Sequence, residues 1–300
     1  MKFVLNMFYF AGNNIKYKIK LSKFFLSLIK GIYVMVFLNS YKPNRTDNLM
    51  KHEGDVIRAR TLFYFNKSNN LHLLLKNRFD WMNRFISSGF IGLEVGCGTG
   101  VSKDFIQCRN FSLSDFADHP WLDFKNIDAL NTGFFDNHFD FIVSSNMIHH
   151  VPFPIRFFEE MHRILKPGGV LLIQEINASI SMMILLRLMR HEGYNFGINV
   201  FDRNLVCTDP NDLWSANCAI PNLLFDNQNL FHKRIPVFKI IHHSYSEFFT
   251  FINSGGVIAK TFFIPLPYFC LKIIQVLDFC LTKCFPSFFA LQRQIVLKKV

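Results

Sequence analysis

The seven cysteines of this 300-residue sequence include no CxxC pair, and no group of Cys and His has zinc-finger spacing. That excludes a metal-stapled small domain and a paired-thiol redox motif, and it leaves no metal-ligand pattern to read. The odd, scattered set fits reduced thiols in the cytoplasm. Acidic residues are missing from the first 45 positions, which hold eight Lys or Arg. Residues 257–300 hold six basic residues against Asp278 alone, so of the net +11 the stretch 46–256 carries −2. A nucleic-acid binder shows positive charge around its reading surface. Charge confined to apolar ends argues against that class and fits an anionic membrane surface, on the inner face of the membrane. A membrane-spanning run is also missing. Phe24–Leu38 is 15 residues long and broken by Lys30 and Gly31, against about 20 needed to cross a bilayer. With no small-x-small cleavage site after it, it reads as an interfacial or core-packing segment.

Half of the residues are apolar, 37 of them Phe. That is enough for one large domain, or one domain with a substantial insertion. So much Phe makes a dense core or a sticky surface. Residues 12–22 fit both strand alternation and a basic helix face. Residues 43–48 read as a linker and 50–87 as helical. From Phe90 strands and helices alternate. Strands are expected at Phe90–Val95, Phe111–Ser114, Phe124–Ile127, Phe139–Ser144 and Val170–Gln174. Helices are expected at Val101–Cys108 and Pro152–Leu165, the second stopped by Pro167-Gly168-Gly169. Such an order implies an α/β fold with a doubly wound, mostly parallel sheet. Further on, Ile180–Arg190, Phe248–Asn253 and Tyr268–Cys284 read as helices, Val237–His243 and Leu291–Lys298 as strands.

The strongest chemical signal is Ile91-Gly92-Leu93-Glu94-Val95-Gly96-Cys97-Gly98-Thr99-Gly100. An apolar strand ends in a carboxylate, and glycine follows at every second position. Glycines let the backbone turn sharply and approach a ligand. The helix behind presents free amides suited to a carboxylate, and Glu94 suits an ammonium. A dinucleotide fingerprint needs G-x-G-x-x-G; its third glycine falls on Val101 or Lys103, so neither frame fits. Asp115, 21 positions after Glu94, either accepts two ribose hydroxyls or caps a turn. Asp128 either accepts an adenine amino group, with Ala129 leaving room for the ring, or is a turn residue.

Together with Phe139–Val143, Ile148-His149-His150-Val151 and Arg163–Gly169, these residues resemble the class I S-adenosylmethionine-dependent methyltransferases of the quinone-biosynthesis-like branch, across roughly residues 85–176. The resemblance implies a seven-stranded Rossmann-like sheet with an antiparallel last strand. It implies S-adenosylmethionine as cofactor, held by Glu94, Gly96, Cys97, Gly98, Gly100, Asp115, Asp128 and Ala129, with Asn146 on the methionine part. A looser resemblance, through His191-Glu192, Asp209-Pro210, Asn217–Pro221 and Asn253–Gly256, is to a bacterial subgroup linked to surface polysaccharide and glycolipid synthesis; Cys218 stands where that subgroup has Gln.

The expected organisation is a basic apolar N-terminal helical extension (1–48), a core (49–176), a helical substrate-side insertion (177–290) and a final core strand (291–300). The expected reaction is O-methylation of a glycan, glycolipid or other small acceptor. The rivals are a lipophilic quinone-like acceptor and a scaffold that binds cofactor without turnover. If the acceptor is a hydroxyl, His149 or His150, at the rim after the fourth strand, serves as general base, or one packs and the other lines the cofactor. Glu175, at the end of the fifth strand, and His191-Glu192, in the insertion, orient a sugar hydroxyl, serve as base or are structural polar residues.

Overall fold

The computed structural model describes residues 39–44, 48–50, 54–66 and 68–300. The expectations for residues 12–22, for Phe24–Leu38 and for the middle of the 43–48 linker lie outside them. Residues 41–300 form one compact unit, which carries the fold. Helices α1 (Val56–Asn66) and α2 (Asn69–Phe79) lead into strand β1 (Ile91–Val95). Then come β2 (Asn110–Leu113), β3 (Phe139–Ser145), α3 (Pro154–Ile164) and β4 (Leu165–Ile176). The chain continues through α4 (Ile180–Met189), α5 (Ile220–Phe225), α6 (Gln228–Arg234), β5 (Phe238–Ser246) and α7 (Phe249–Ile252). It closes with α8 (Tyr268–Cys284), α9 (Pro286–Phe289) and β6 (Gln292–Lys299).

The main sheet runs β2-β1-β3-β4-β6-β5. Strands β1 to β4 are parallel, and β6 lies antiparallel between β4 and β5. Where a seventh strand is expected beyond β2, the described residues hold one parallel bridge, Ser114 to Phe124. Both faces of the sheet are covered, so its inner strands are apolar at nearly every position. Period two sorts them. Leu93, Ile142, Leu171, Ile173, Ile295 and Leu297 pack with α3, α5 and α6, while Phe141, Val143, Leu172 and Val296 pack with α2 and Trp81. The phenylalanines do both expected things. Phe141, Phe157, Phe158, Phe225, Phe231 and Phe238 are buried, whereas Phe65, Phe135 and Phe262 are more than 80% exposed.

Two boundaries differ from expectation. The helix expected over Val101–Cys108 is a short 3-10 turn, Val101–Asp104. The Asn83 side chain replaces the next helical bonds, donating to Phe105 O and accepting from Gln107 N–H at 2.9 Å each. Helix α3 ends at Ile164, and β4 starts at once rather than after the glycines. Leu165 is fully buried in extended conformation, paired with Phe139. Pro167 disfavours helical backbone just before it.

The carboxyl ends of β1, β2 and β3 share one edge, because Val95 lies opposite Ser144 and Glu94 opposite Leu113. Strand β1 has β2 on one side and β3 on the other, so the chain's direction of travel across the sheet reverses there. In open α/β sheets ligands bind at that crevice.

Candidate active site

A cavity of about 500 Å³ opens at this crevice, within the range of small-molecule sites. Glu94, Gly96, Cys97, Gly98 and Thr99 line it from the β1 side, Ser145, Asn146, His149 and His150 from the β3 side. Gly96 and Gly98 both have left-handed backbone, φ 64° and 51°. A Cβ on Gly96 would sit 2.6 Å from Met147 Cγ, whereas one on Gly98 would meet only Ile258, at 3.9 Å. The turn therefore needs glycine at Gly96 for packing, and glycine at Gly98 leaves backbone bare beside the cavity.

Glu94 is 2% exposed, and its Oε2 accepts from the Ser102 hydroxyl. Burial pushes its carboxyl up to about 8. Cys97 is pushed up by burial, with Glu94 and Asp115 adding to it, so it stays a thiol and not a nucleophile. Asp115 is used locally. Its Oδ2 accepts from Gly98 N–H at 2.8 Å and its Oδ1 from Ala117 N–H at 3.0 Å, so it fixes the glycine loop. Asp128 Oδ1 accepts from Leu130 N–H at 2.8 Å, a turn contact, and Ala129 packs against the core. Gly100, Asp115, Asp128 and Ala129 are not among the residues lining the cavity; the other expected site residues are.

The histidines sit on a 3-10 turn, Ile148–His150. The Glu175 carboxylate, fully buried, anchors it. Its Oε2 accepts from Met147 and Ile148 N–H at 3.1 and 2.7 Å, and Oε1 lies 2.5 Å from His149 Nδ1. His150 Nδ1 lies 3.0 Å from Ser215 O and so carries the proton of that bond. His149 Nε2 is 3.6 Å from Glu192 Oε2, and His150 Nε2 is 3.7 Å from Glu192 Oε1. Burial pulls both rings down. At His149 the charge of Glu175 overrides it and lifts the ring to about 10, while His150, facing that charge on His149, falls to about 4. Asn146 is held from behind, by Gln292 Nε2 donating to its Oδ1 at 2.8 Å.

Several lining residues were not legible as site residues. Ser254, Gly256, Val257 and Ile258 line the cavity from the segment after α7, and Trp214 and Gln292 come from other distant segments. The only signal for that segment was the Asn253-Ser254-Gly255-Gly256 run.

A family model described as a methyltransferase domain matches residues 56–209, just over half of the chain. The chain belongs to the methyltransferase domain family. Among curated relatives, this methyltransferase is 28% identical to fusarielin synthase FSL1 of Gibberella zeae over half of its own length and 7% of that protein. It is 27% identical to the ubiquinone biosynthesis O-methyltransferase of Pseudomonas paraeruginosa, over 36% of its own length and 53% of that enzyme. The matches thus span about half of the ubiquinone enzyme and a small part of the synthase. A SAM-dependent methyltransferase from Archaeoglobus fulgidus superposes with a TM-score of 0.45 and 17% identity, over 80% of this chain and 98% of that one.

S-adenosylmethionine is the cofactor that the sequence resemblance implies for a methyltransferase domain, and the residues present fit it. A buried carboxylate, Glu94, faces the cavity with no pairing cation among the described residues, and bare backbone at Gly98 lies beside it. Replacing Glu94 by Gln is expected to weaken binding of S-adenosylhomocysteine, measured by calorimetry, by about 10- to 150-fold, as for loss of a charged hydrogen bond of ~1.5–3 kcal/mol. Unchanged affinity would remove Glu94 from the cofactor site. The cofactor-free protein should also lose stability as pH rises from 4.5 to about 8. A carboxyl whose folded value is raised costs nothing while protonated in both states and its full penalty once ionised in both. The Gln variant should lack this component of the melting curve's pH dependence.

Proposed function

We propose that this methyltransferase transfers the methyl group of S-adenosylmethionine to a hydroxyl oxygen of a glycan, glycolipid or similar lipid-linked small acceptor. The observation that carries the reading is the pairing of two imidazoles and a carboxylate, His149, His150 and Glu192, with the glycine loop around one cavity. When bound, the cofactor supplies an electrophilic methyl on a sulfonium, and the remaining task is alignment and deprotonation of the acceptor. Glu94 and the Gly96–Gly98 backbone hold the amino-acid end, with Asn146 opposite. In the cation-free protein the atom placed to take the acceptor's proton is His150 Nε2, because Ser215 O occupies the other ring nitrogen. Glu175 fixes the turn on which both rings sit.

The 177–290 stretch forms the acceptor side in this account. It contributes His191, Glu192, Trp214 and Ile258 to the cavity, together with Phe262, which is 87% exposed at the rim. Beyond it, α8 exposes Phe269, Ile273, Val276 and Cys280 along one face, with Lys272 and Lys283 also exposed, while Leu271, Asp278 and Thr282 face inward. That apolar, basic surface suits the headgroup layer of an anionic membrane carrying the acceptor. Among the described residues no helix is long and apolar enough to cross a membrane.

Transfer of label from methyl-labelled cofactor to cell glycolipids in vesicles, compared with a panel of hydroquinones, tests the reading. Labelled glycolipid is expected. Label on hydroquinones alone would move the acceptor to the quinone class, and cofactor binding with no transfer to either would favour a scaffold.

A further inference from the structure

We propose that His149, His150 and Glu192 form a binding site for a divalent transition-metal cation whose open coordination positions face the cavity. The proposal deepens the reading above and rests on it for the place of the acceptor. Three features carry it. First, the three ligand atoms converge, all lying within 4.8 Å of one another, with the carboxylate 3.6 and 3.7 Å from the two Nε2 atoms. Around a tetrahedral zinc with bonds near 2.0–2.1 Å, ligand atoms lie about 3.4 Å apart, so each imidazole is within a few tenths of an ångström of that spacing from one carboxylate oxygen, and the widest pair of the three within about 1.4 Å.

Second, each imidazole already has the outer partner that a metal-bound histidine uses. His149 Nδ1 faces the Glu175 carboxylate at 2.5 Å and His150 Nδ1 faces the Ser215 carbonyl at 3.0 Å. Such partners fix the ring and direct the free lone pair of Nε2 at the metal. Both outer contacts aim Nε2 at the same carboxylate. Third, Glu192 is itself held, by Cys218 Sγ at 3.2 Å on Oε2 and by His191 Nε2 at 3.3 Å on Oε1. Two imidazoles and one carboxylate with positions left open are the donor set of hydrolytic zinc and mononuclear iron(II) sites. Nitrogen donors disfavour magnesium and calcium.

In the cation-bound state both rings ligate, and the acceptor hydroxyl fills an open position. The cation lowers the hydroxyl's pKa, and its proton leaves to solvent water. The oxygen then forms the new C–O bond as the C–S bond of the sulfonium breaks, leaving the thioether. A proton between His149 Nε2 and Glu192 competes for the same space and would leave the cluster an ion-pair network.

The test uses the full chain, stripped with chelator and titrated with Zn²⁺ by calorimetry and with Co²⁺ by visible absorption. One equivalent is expected to bind at micromolar or lower concentration, with ligand-field bands for Co²⁺. His150→Ala and Glu192→Gln should each weaken Zn²⁺ binding more than 100-fold, and Glu175→Gln, which changes the outer partner of His149 and the acceptor of the Met147 and Ile148 amides, about 10- to 100-fold. Affinity for S-adenosylhomocysteine, measured alongside, should hold in all three and so report folding. No saturable metal binding, or the same binding in His150→Ala, would overturn the site and leave the methyltransferase reading standing. Metal binding with no S-adenosylhomocysteine binding would support the site and overturn that reading.

Discussion

Replacing His150 by alanine is expected to lower kcat by about 10²- to 10⁴-fold, the usual contribution of a positioned proton acceptor, while S-adenosylhomocysteine affinity stays within about twofold. The division follows from where the ring sits. His150 faces Glu192 at one nitrogen and Ser215 O at the other, and neither contact reaches Glu94 or the glycine loop. Its loss removes the proposed proton acceptor without disturbing the cofactor end. His149 is a poorer first target. It is 3% exposed between Glu175 and Glu192, so alanine there leaves the buried Glu175 and the partly buried Glu192 without their shared partner. A kcat within threefold of the parent in His150→Ala, measured by label transfer, would remove this cluster from the chemistry. Where a cation occupies the cluster the same rate loss follows through loss of the ligand, and the metal titration separates the two.

The second large effect is on stability. Arg78→Met is expected to cost about 3–5 kcal/mol in denaturant unfolding, the range for removing one partner of a buried ion pair. Arg78 on α2 donates to Glu247 through Nε at 2.9 Å and NH2 at 2.8 Å, with both side chains under 7% exposed. Burial already pushes the Glu247 carboxyl up against the pull of Arg78, so without the guanidinium the charge has little to hold it. The cost should therefore shrink as pH falls and Glu247 is protonated, and Glu247→Gln added to Arg78→Met should recover part of it. A cost below 1 kcal/mol for the single variant would contradict the assignment. The pair also matters for the site. Gln174 Nε2 donates to Glu247 at 3.3 Å and to Gln292 at 3.1 Å, and Gln292 holds Asn146. A hydrogen-bonded chain thus runs from α2 through β4 and β6 to the cavity wall, and Arg78→Met should also weaken cofactor binding.

Those particulars show what a linear reading can reach. Glu94, Gly96 and Gly98 stood out because their chemistry depends on spacing along one strand and one turn. The inner strands stood out because burial on both faces makes them apolar throughout. Helix α8 was legible to its ends, since apolar spacing and flanking prolines agree there. The turn at Val101–Asp104 was not, because the Asn83 amide that ends it comes from 22 and 24 residues before its partners and leaves no periodic trace. Asp115 read as either a ribose contact or a turn cap, and its oxygens accept from the Gly98 and Ala117 amides. The His149–His150–Glu192 cluster was beyond spacing arguments altogether. Its carboxylate comes from the segment after α4, its anchors Glu175 and Ser215 from two others, and only the folded sheet brings them to one edge.

The central claim is that the crevice at the end of β1 is a nucleoside-cofactor site, and calorimetric titration of the purified chain with S-adenosylhomocysteine tests it most directly. The account predicts a single saturable site of one equivalent, weakened by Glu94→Gln. Absence of binding to the folded protein, or binding that Glu94→Gln leaves untouched, would contradict it.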